Sequence, residues 1–297
     1  MSGSAVAASA NAGPGETGVR VRPGLVYVRP PKTASTSVEN LVIAAQGLSA
    51  ETLVQVAEIY PDRNGAVDPR KCLVGKGYHV TWNDAARFLA DPAAWRAIMT
   101  LRDPIARTLS HYRFLQQTAH AARSPGAHQR LLEEALARPL RELIVDESSE
   151  FFNWTMPVQT FFLGSTLRGS DPSGPARLLP DTVRSSAAHH EALRCALGRL
   201  ERLAWIGIVE SLDRDVQVLA FSQGWPAHGL LHDNRTATGG DALAASSELD
   251  PATRRVLADR LAADYVLLEC AREIAAERYR EMVETIGSVV NRSEGRA

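Results

Sequence analysis

Lysine is nearly missing from this chain. Of 33 Lys plus Arg, only Lys32, Lys71 and Lys76 are lysines, leaving 30 arginines. Such a bias, with many alanines, fits a GC-rich coding sequence. Where a bulk positive charge was enough the chain carries Arg, so each lysine marks a place for a compact point charge with rotatable donors. Cysteine is also sparse: Cys72, Cys195 and Cys270 are odd in number, far apart and without C-x-x-C or Cys/His spacing. That excludes a disulfide framework or a cysteine metal site and implies reduced thiols and a cytoplasmic location. No apolar run approaches ~18 residues, so no membrane span is expected. A net charge of -1 argues against general nucleic-acid or membrane-surface binding and leaves room for a local basic pocket. The opening "MSGSAVAASANAGPGETG" lacks a basic region followed by an apolar one, so it is not a secretion signal. Residues 1–20 read instead as a disordered tail of small residues. The sequons at Asn153, Asn234 and Asn291 are accordingly not expected to carry sugar.

What is present is core-forming material. With 45% hydrophobic and 23% charged residues, 297 residues suit one large domain or two small ones. Order is expected from residue 21 to 285, with 286–297 as a C-terminal tail. Leu25 to Val28 reads as a buried strand, and Val38, Leu41, Val42 and Ala45 follow helical spacing, with Gly47 as a stop. Two helix starts fit: a capping box of Thr36 with Glu39, or a start near Thr33 that leaves the first amides open to a ligand. "WRAIMTL", Trp95 to Leu101, reads as a second buried strand, and Asp103-Pro104 as the N-cap and first residue of the next helix. Lys71 to Val74 reads as a short strand, and Ala85 to Leu89 as a helix. The stretch from 112 to 200 reads as mostly helical with a Gly/Ser/Pro-rich loop at 164–175, Leu203 to Val209 as a strand, and Asp213 to Phe221 and Pro251 to Val283 as helices. Strands alternating with helices predict an α/β fold, a P-loop-like parallel sheet flanked by helices.

Two strand-to-helix turns carry chemistry. Ligands of open α/β sheets lie beyond the carboxyl ends of the strands. The first turn, "RPPKTASTS" from Arg29 to Ser37, joins a lysine and four hydroxyls to a helix start, where free N–H groups and the dipole favour an anion. It is not a Walker A loop, whose glycines would fall at Val26 and Pro31. The second, "TLRDPIARTLS", brings Arg102 off the strand end and sets Ser110 on the helix face of Asp103, Ala106 and Arg107. An arginine fork with a hydroxyl suits a phosphate. The bland alternatives are a solvated helix cap and a surface Arg–Asp pair.

Together, "RPPKTASTS" and "LRDPIARTLSHYRFL" resemble the sulfotransferases that use 3'-phosphoadenosine 5'-phosphosulfate (PAPS). The similarity is to the heparan sulfate 2-O-sulfotransferase group and related bacterial enzymes. "NWTMPVQTFFLG", "WIGIVESLDRDVQVL" and "LDPATRRVLADRLAADYVLL" extend it more weakly, so that it spans residues 22 to 285 and implies a single sulfotransferase domain. The resemblance implies that Lys32 contacts the transferring sulfuryl group and the bridging oxygen. It implies that Thr33, Ala34, Ser35, Thr36 and Ser37 hold the 5' side, and that Arg102 and Ser110 grip the 3'-phosphate. It further implies that Arg29 faces the acceptor and that Arg235 and Thr236, in the loop "HDNRTATGG", cover the nucleotide.

His79, in "GKGYHVTW", lies 23 residues before Arg102, a placement similar to the catalytic histidine of the 2-O group, and is the candidate general base. PAPS is the expected co-substrate, 3'-phosphoadenosine 5'-phosphate the product, and no metal is required. The expected acceptor is a hydroxyl of a glycan or a small natural product; oligomeric state has no sequence signal. The aromatics Phe151, Phe152, Trp154, Phe161 and Phe162 read as core before acceptor pocket. His111 is expected to pack or cap, and Arg107, Arg113 and Arg123 to face water. Two other classes compete: a P-loop-type kinase using ATP, and a non-catalytic nucleotide-binding module.

Overall fold

A computed structural model of the protein describes residues 24–46, 79–86, 89–91, 95–121, 129–164, 185–225 and 249–294. It is a mostly helical α/β structure around a three-stranded parallel sheet. The strands are β1 (Gly24–Val28), β2 (Trp95–Leu101) and β3 (Trp205–Ile208), in the order β1-β2-β3. The register runs from Gly24 opposite Trp95 to Val28 opposite Met99, and from Ile98 opposite Trp205 to Leu101 opposite Ile208.

Strand side chains alternate between two faces, and both faces here are buried apart from Arg96 at the start of β2, so the strands read as nearly continuous apolar runs. Leu25, Tyr27, Ile98 and Trp205 meet α1 (Ser35–Gln46) and α8 (Leu212–Gln223) through Val38, Leu41, Val42, Val216 and Leu219. Val26, Val28, Ala97, Met99, Leu101, Ile206 and Ile208 meet α7 (Ser186–Leu200) and the long α10 (Ala262–Glu294) through Ala196, Leu200, Leu267, Leu268 and Ala271. A third core lies beside the sheet. It joins α3 (Pro104–Ala121), α4 (Gln129–Ala137), the short α5 (Leu140–Leu143), a 3-10 turn at Phe151–Thr155, α6 (Val158–Gly164) and α9 (Pro251–Arg260). Phe151, Phe152, Trp154, Phe161 and Phe162 are all buried, so the aromatic segment is core. Where α6 passes α7, a Cβ on Gly164 would stand 1.8 Å from the Ala192 carbonyl oxygen, so only glycine allows that approach.

Both sheet strands of the two turns, the described helices between 112 and 200 and the late strand lie where the sequence puts them, and residues 122–128 and 165–184 of that stretch lie outside the described residues. The helix expected over Ala85 to Leu89 lies earlier, as α2 (Trp82–Ala86), opened by Thr81 and Asp84. Thr81 gives its N–H to Asp84 Oδ2 at 2.9 Å, and Asp84 returns its N–H to Thr81 Oγ1 at 3.3 Å, a capping box. The last helix continues past Val283 through Glu294, into the stretch expected as a tail. The tail 1–20, the strand at Lys71 to Val74, Gly47, and Arg235 with Thr236 lie outside the described residues. No helix among the described residues is long and apolar enough to cross a membrane.

Candidate functional site

The two turns sit side by side at the carboxyl ends of β1 and β2. In the first, Lys32 has φ 66° and Ala34 φ 57°. These left-handed conformations cost roughly 1–2 kcal/mol each in an L-residue. Helix α1 starts at Ser35, the earlier of the two expected starts. Ser37 and Val38 give their amides to the Ala34 carbonyl at 3.1 and 3.3 Å, which makes Ala34 the cap residue. Alanine has no side-chain oxygen to turn back onto the helix, so the first amides, at Ser35 and Thr36, stay directed out of the helix start.

Glu39 is not engaged in a capping box. Its carboxylate meets Arg29, with Nε 2.6 Å from Oε1 and both side chains buried. Arg29, expected to face an acceptor, thus has its guanidinium buried against the first helix. Removing one partner of such a pair costs about 3–5 kcal/mol because the other charge is left uncompensated.

The floor of the turn is a hydroxyl chain. Thr33 Oγ1 donates to the Pro30 carbonyl at 3.0 Å, Thr100 Oγ1 donates to Thr33 Oγ1 at 3.1 Å, and the Tyr27 hydroxyl lies 2.6 Å from Thr100 Oγ1. A carbonyl only accepts, so each proton has one place to go and Tyr27 must donate to Thr100. Burial pushes the Tyr27 phenol well above its ordinary range, which keeps that proton in place. Thr33 is wholly buried, and its hydroxyl hydrogen is committed to the fold. Its contribution to a bound anion is therefore its amide. Ser35 and Ser37 are also buried, and Thr36 is half-buried.

The second turn is two residues long. Asp103 Oδ1 accepts from the Ala106 amide at 2.7 Å, and Pro104 opens α3, the expected N-cap and first helical residue. Gln159 of α6 brackets Arg102: Oε1 accepts from the Arg102 amide at 2.8 Å and Nε2 donates to the Arg102 carbonyl at 2.9 Å. Glu210, just after β3, accepts from the Asp103 amide at 2.9 Å. Arg102 Nη1 donates to the Lys32 carbonyl at 3.3 Å, which joins the two turns directly. Arg102 Nε is buried and has no hydrogen-bond partner among the described residues. Ser110 is half-buried on the same helix.

Lys32 carries a compact positive charge at the first turn. Its Nζ sits 4.1 Å from the ring centroid of Phe114 on α3, a cation–π contact. Burial, and then the Arg102 charge, lower its pKa to about 8. Burial also lowers that of Arg102. Two cations close enough for one charge to act on the other, in a partly dry setting, favour an anion beside them.

His79 stands at the other edge of β1. The Arg29 amide donates to the Val80 carbonyl at 2.8 Å, so the segment runs alongside the first turn. His79 Nδ1 is 3.3 Å from the Arg29 carbonyl, and its ring meets Phe162 edge-on at 6.1 Å. Since the carbonyl can only accept, a neutral ring carries its hydrogen on Nδ1 and its lone pair on Nε2. The capping box at Thr81 fixes the chain just beyond it.

The structure thus gathers Lys32, Thr33, Ala34, Ser35 and Arg102 in one place, with His79 against the same turn. Sequence reasoning missed three of the groups that organise it. Gln159 lay inside a quoted segment, but without a role. Asp264 of α10 accepts from the Gln159 and Thr160 amides at 3.2 and 2.7 Å and so caps α6 from a distant helix. Arg107, expected to face water, is fully buried. Its Nη2 donates to the Trp154 carbonyl at 2.6 Å and to Thr108 Oγ1 at 3.0 Å. Burial lowers its pKa to about 10, against the pull of Asp264, and burial raises that of Asp264. His111 packs edge-on to Trp154 at 4.4 Å, as expected. No protein-family model matches the chain, and no curated protein matches it.

Proposed function

We propose that this chain is a PAPS-dependent O-sulfotransferase of P-loop-like architecture, acting on a hydroxyl of a carbohydrate or natural-product acceptor. One geometric fact supports this above the others. A lysine-bearing turn with an uncapped helix start and an arginine-bearing turn meet at the ends of adjacent parallel strands, Arg102 Nη1 on the Lys32 carbonyl at 3.3 Å. A nucleotide with anionic groups at its 5' and 3' positions needs two such grips a short distance apart. The buried Arg102 Nε without a partner fits a guanidinium built to receive a phosphate.

In this reading the amides of Thr33, Ser35 and Thr36 hold the 5'-phosphosulfate. Arg102, with Ser110, holds the 3'-phosphate. The acceptor oxygen bonds to sulfur while the bond from sulfur to the bridging oxygen breaks. His79 Nε2 takes the acceptor's proton, a role worth roughly 10²–10⁴ in rate. The electron pair left on the bridging oxygen is stabilised by the Lys32 ammonium and the α1 N-terminus. Arg29 serves by fixing α1 to the turn through Glu39.

Titration calorimetry with adenosine 3',5'-bisphosphate and adenosine 5'-phosphate tests the nucleotide grip. The first is expected to bind more tightly, by about tenfold or more, and Arg102→Ala to erase the difference. Equal affinity in the unaltered protein overturns the assignment of Arg102. A transfer screen with radiolabelled PAPS over pooled glycans, phenols and alcohols tests the reaction, with His79→Ala as control. Nucleotide binding without transfer to any acceptor indicates a binding module, and Mg²⁺-dependent ATP turnover a kinase.

A further inference from the structure

Arg102 would be useful to a ligand only at one angle, and on the guanidinium itself the long bond from Nη1 to the Lys32 carbonyl, 3.3 Å, bears on that angle. Its side chain has several rotatable bonds, and the turn that carries it is only two residues long. The peptide groups on both sides of it are fixed from outside: one side chain meets both, and Glu210 takes the Asp103 amide of the second at 2.9 Å. Gln159 is wholly buried, and its carboxamide takes the Arg102 N–H at 2.8 Å and gives to the Arg102 C=O at 2.9 Å. Two opposed hydrogen bonds to one residue fix both its place and its rotation about the chain.

Gln159 is itself held rigidly. Asp264 Oδ2 accepts from its amide at 3.2 Å and Oδ1 from that of Thr160 at 2.7 Å. Asp264 lies in the first turn of α10 and is fully buried, as is Arg107, whose charge acts on it. A rigid path therefore runs from α10 through the start of α6 to the peptide of Arg102. Nothing in the packing of α6 demands an amide at this place. A leucine or methionine would fill the volume but leave the Arg102 N–H and C=O without these partners.

We propose that Gln159 is a positioning residue: by bracketing the Arg102 peptide it sets the direction of the guanidinium and hence the preference for a 3'-phosphate. This rests on the nucleotide reading above. Small misplacements of a binding group carry large penalties, so the bracket acts on affinity for one phosphate and not on the whole ligand.

Gln159→Glu separates this from a merely structural role. An ionised glutamate still accepts from the Arg102 amide but cannot donate to its carbonyl, whereas the protonated acid can. Calorimetry with adenosine 3',5'-bisphosphate and adenosine 5'-phosphate is run on both proteins at about pH 8 and about pH 5.5, a window that brackets the raised pKa of a buried carboxyl. At the higher pH the variant is expected to lose about tenfold in affinity for the bisphosphate relative to the unaltered protein. Its affinity for the monophosphate should not change. At the lower pH the bisphosphate loss should largely disappear. Gln159→Asn, which is neutral but too short to bridge both groups, should show the loss at both pH values, and it serves where the glutamate variant does not fold. Equal losses for both nucleotides, or no loss, overturn the proposal. A preference missing already in the unaltered protein overturns the nucleotide reading itself.

Discussion

The two turns leave neighbouring strands in the same direction and solve the same problem in opposite ways. The first takes six residues, Arg29 to Ala34, places Lys32 and Ala34 in left-handed conformations, and enters α1 through a residue without a capping side chain. The second takes two, has no strained residue, and closes its helix start with Asp103 on the Ala106 amide at 2.7 Å. A capped helix start has spent its amides and its dipole on its own carboxylate. An uncapped one offers both to a ligand. In the proposed reading α1 therefore meets an anion through its backbone, and the turn before α3 through the Arg102 side chain. Strain sits where the backbone is the instrument, and a buried polar network sits where a side chain is.

The comparison can be broken most severely from below the second turn. Asp264→Ala removes the acceptor of two buried amides and leaves Arg107 facing no opposite charge. A stability loss of about 3–5 kcal/mol is expected in denaturant unfolding. A loss under about 1 kcal/mol would mean that the network does not hold the turn.

At the first turn the larger effect is chemical. Lys32→Ala is expected to lower transfer by about 10²–10³-fold, with a smaller loss of nucleotide affinity, read by radiolabel transfer and calorimetry. The charge of Lys32 can also be removed by pH. With its pKa lowered to about 8, transfer should fall as pH rises through that value. Stability should move the other way. Above about 8 the folded lysine has lost its proton, while the unfolded one keeps it up to its ordinary value near 10.5. The unfolded state then binds more protons, so stability rises with pH across that window, and Lys32→Met should remove the rise.

The smallest effects carry opposite signs at the two helix starts. Asp103→Ala should cost about 1 kcal/mol as a lost N-cap. Ala34→Gly should gain up to about 1 kcal/mol, since relief of the left-handed strain exceeds the added freedom of the unfolded glycine. Thermal unfolding of the two variants side by side measures both.

These contrasts explain which parts could be read from the residues. Trp95 to Leu101 is an apolar run ended by Arg-Asp-Pro, and strand, cap and helix start all announce themselves within a few positions. The left-handed turn does not, because lysine and alanine carry no mark of positive φ as glycine would. The Arg29–Glu39 pair becomes visible only once the start of α1 is known. Gln159 and Asp264 act across the fold, on residues far away in the chain, and no local pattern points to them. Arg107 was misleading for a related reason: on the helix it has the spacing of a surface residue, and only the packing of the Phe151–Thr155 turn against α3 buries it. Arg235 and Thr236 lie outside the described residues, so the loop that carries them adds nothing to the comparison.

The bracket around Arg102 also decides where the sheet stops growing. The last paired rung of β2 and β3 is Leu101 opposite Ile208. The next two amides of the chain, at Arg102 and Asp103, are answered by the side chains of Gln159 and Glu210. These side chains take amides that further strand pairing could have used, and the pairing ends there. In a strand each added residue turns its side chain to the opposite face. The end of the pairing therefore fixes a parity: the first residue released from the sheet is the arginine.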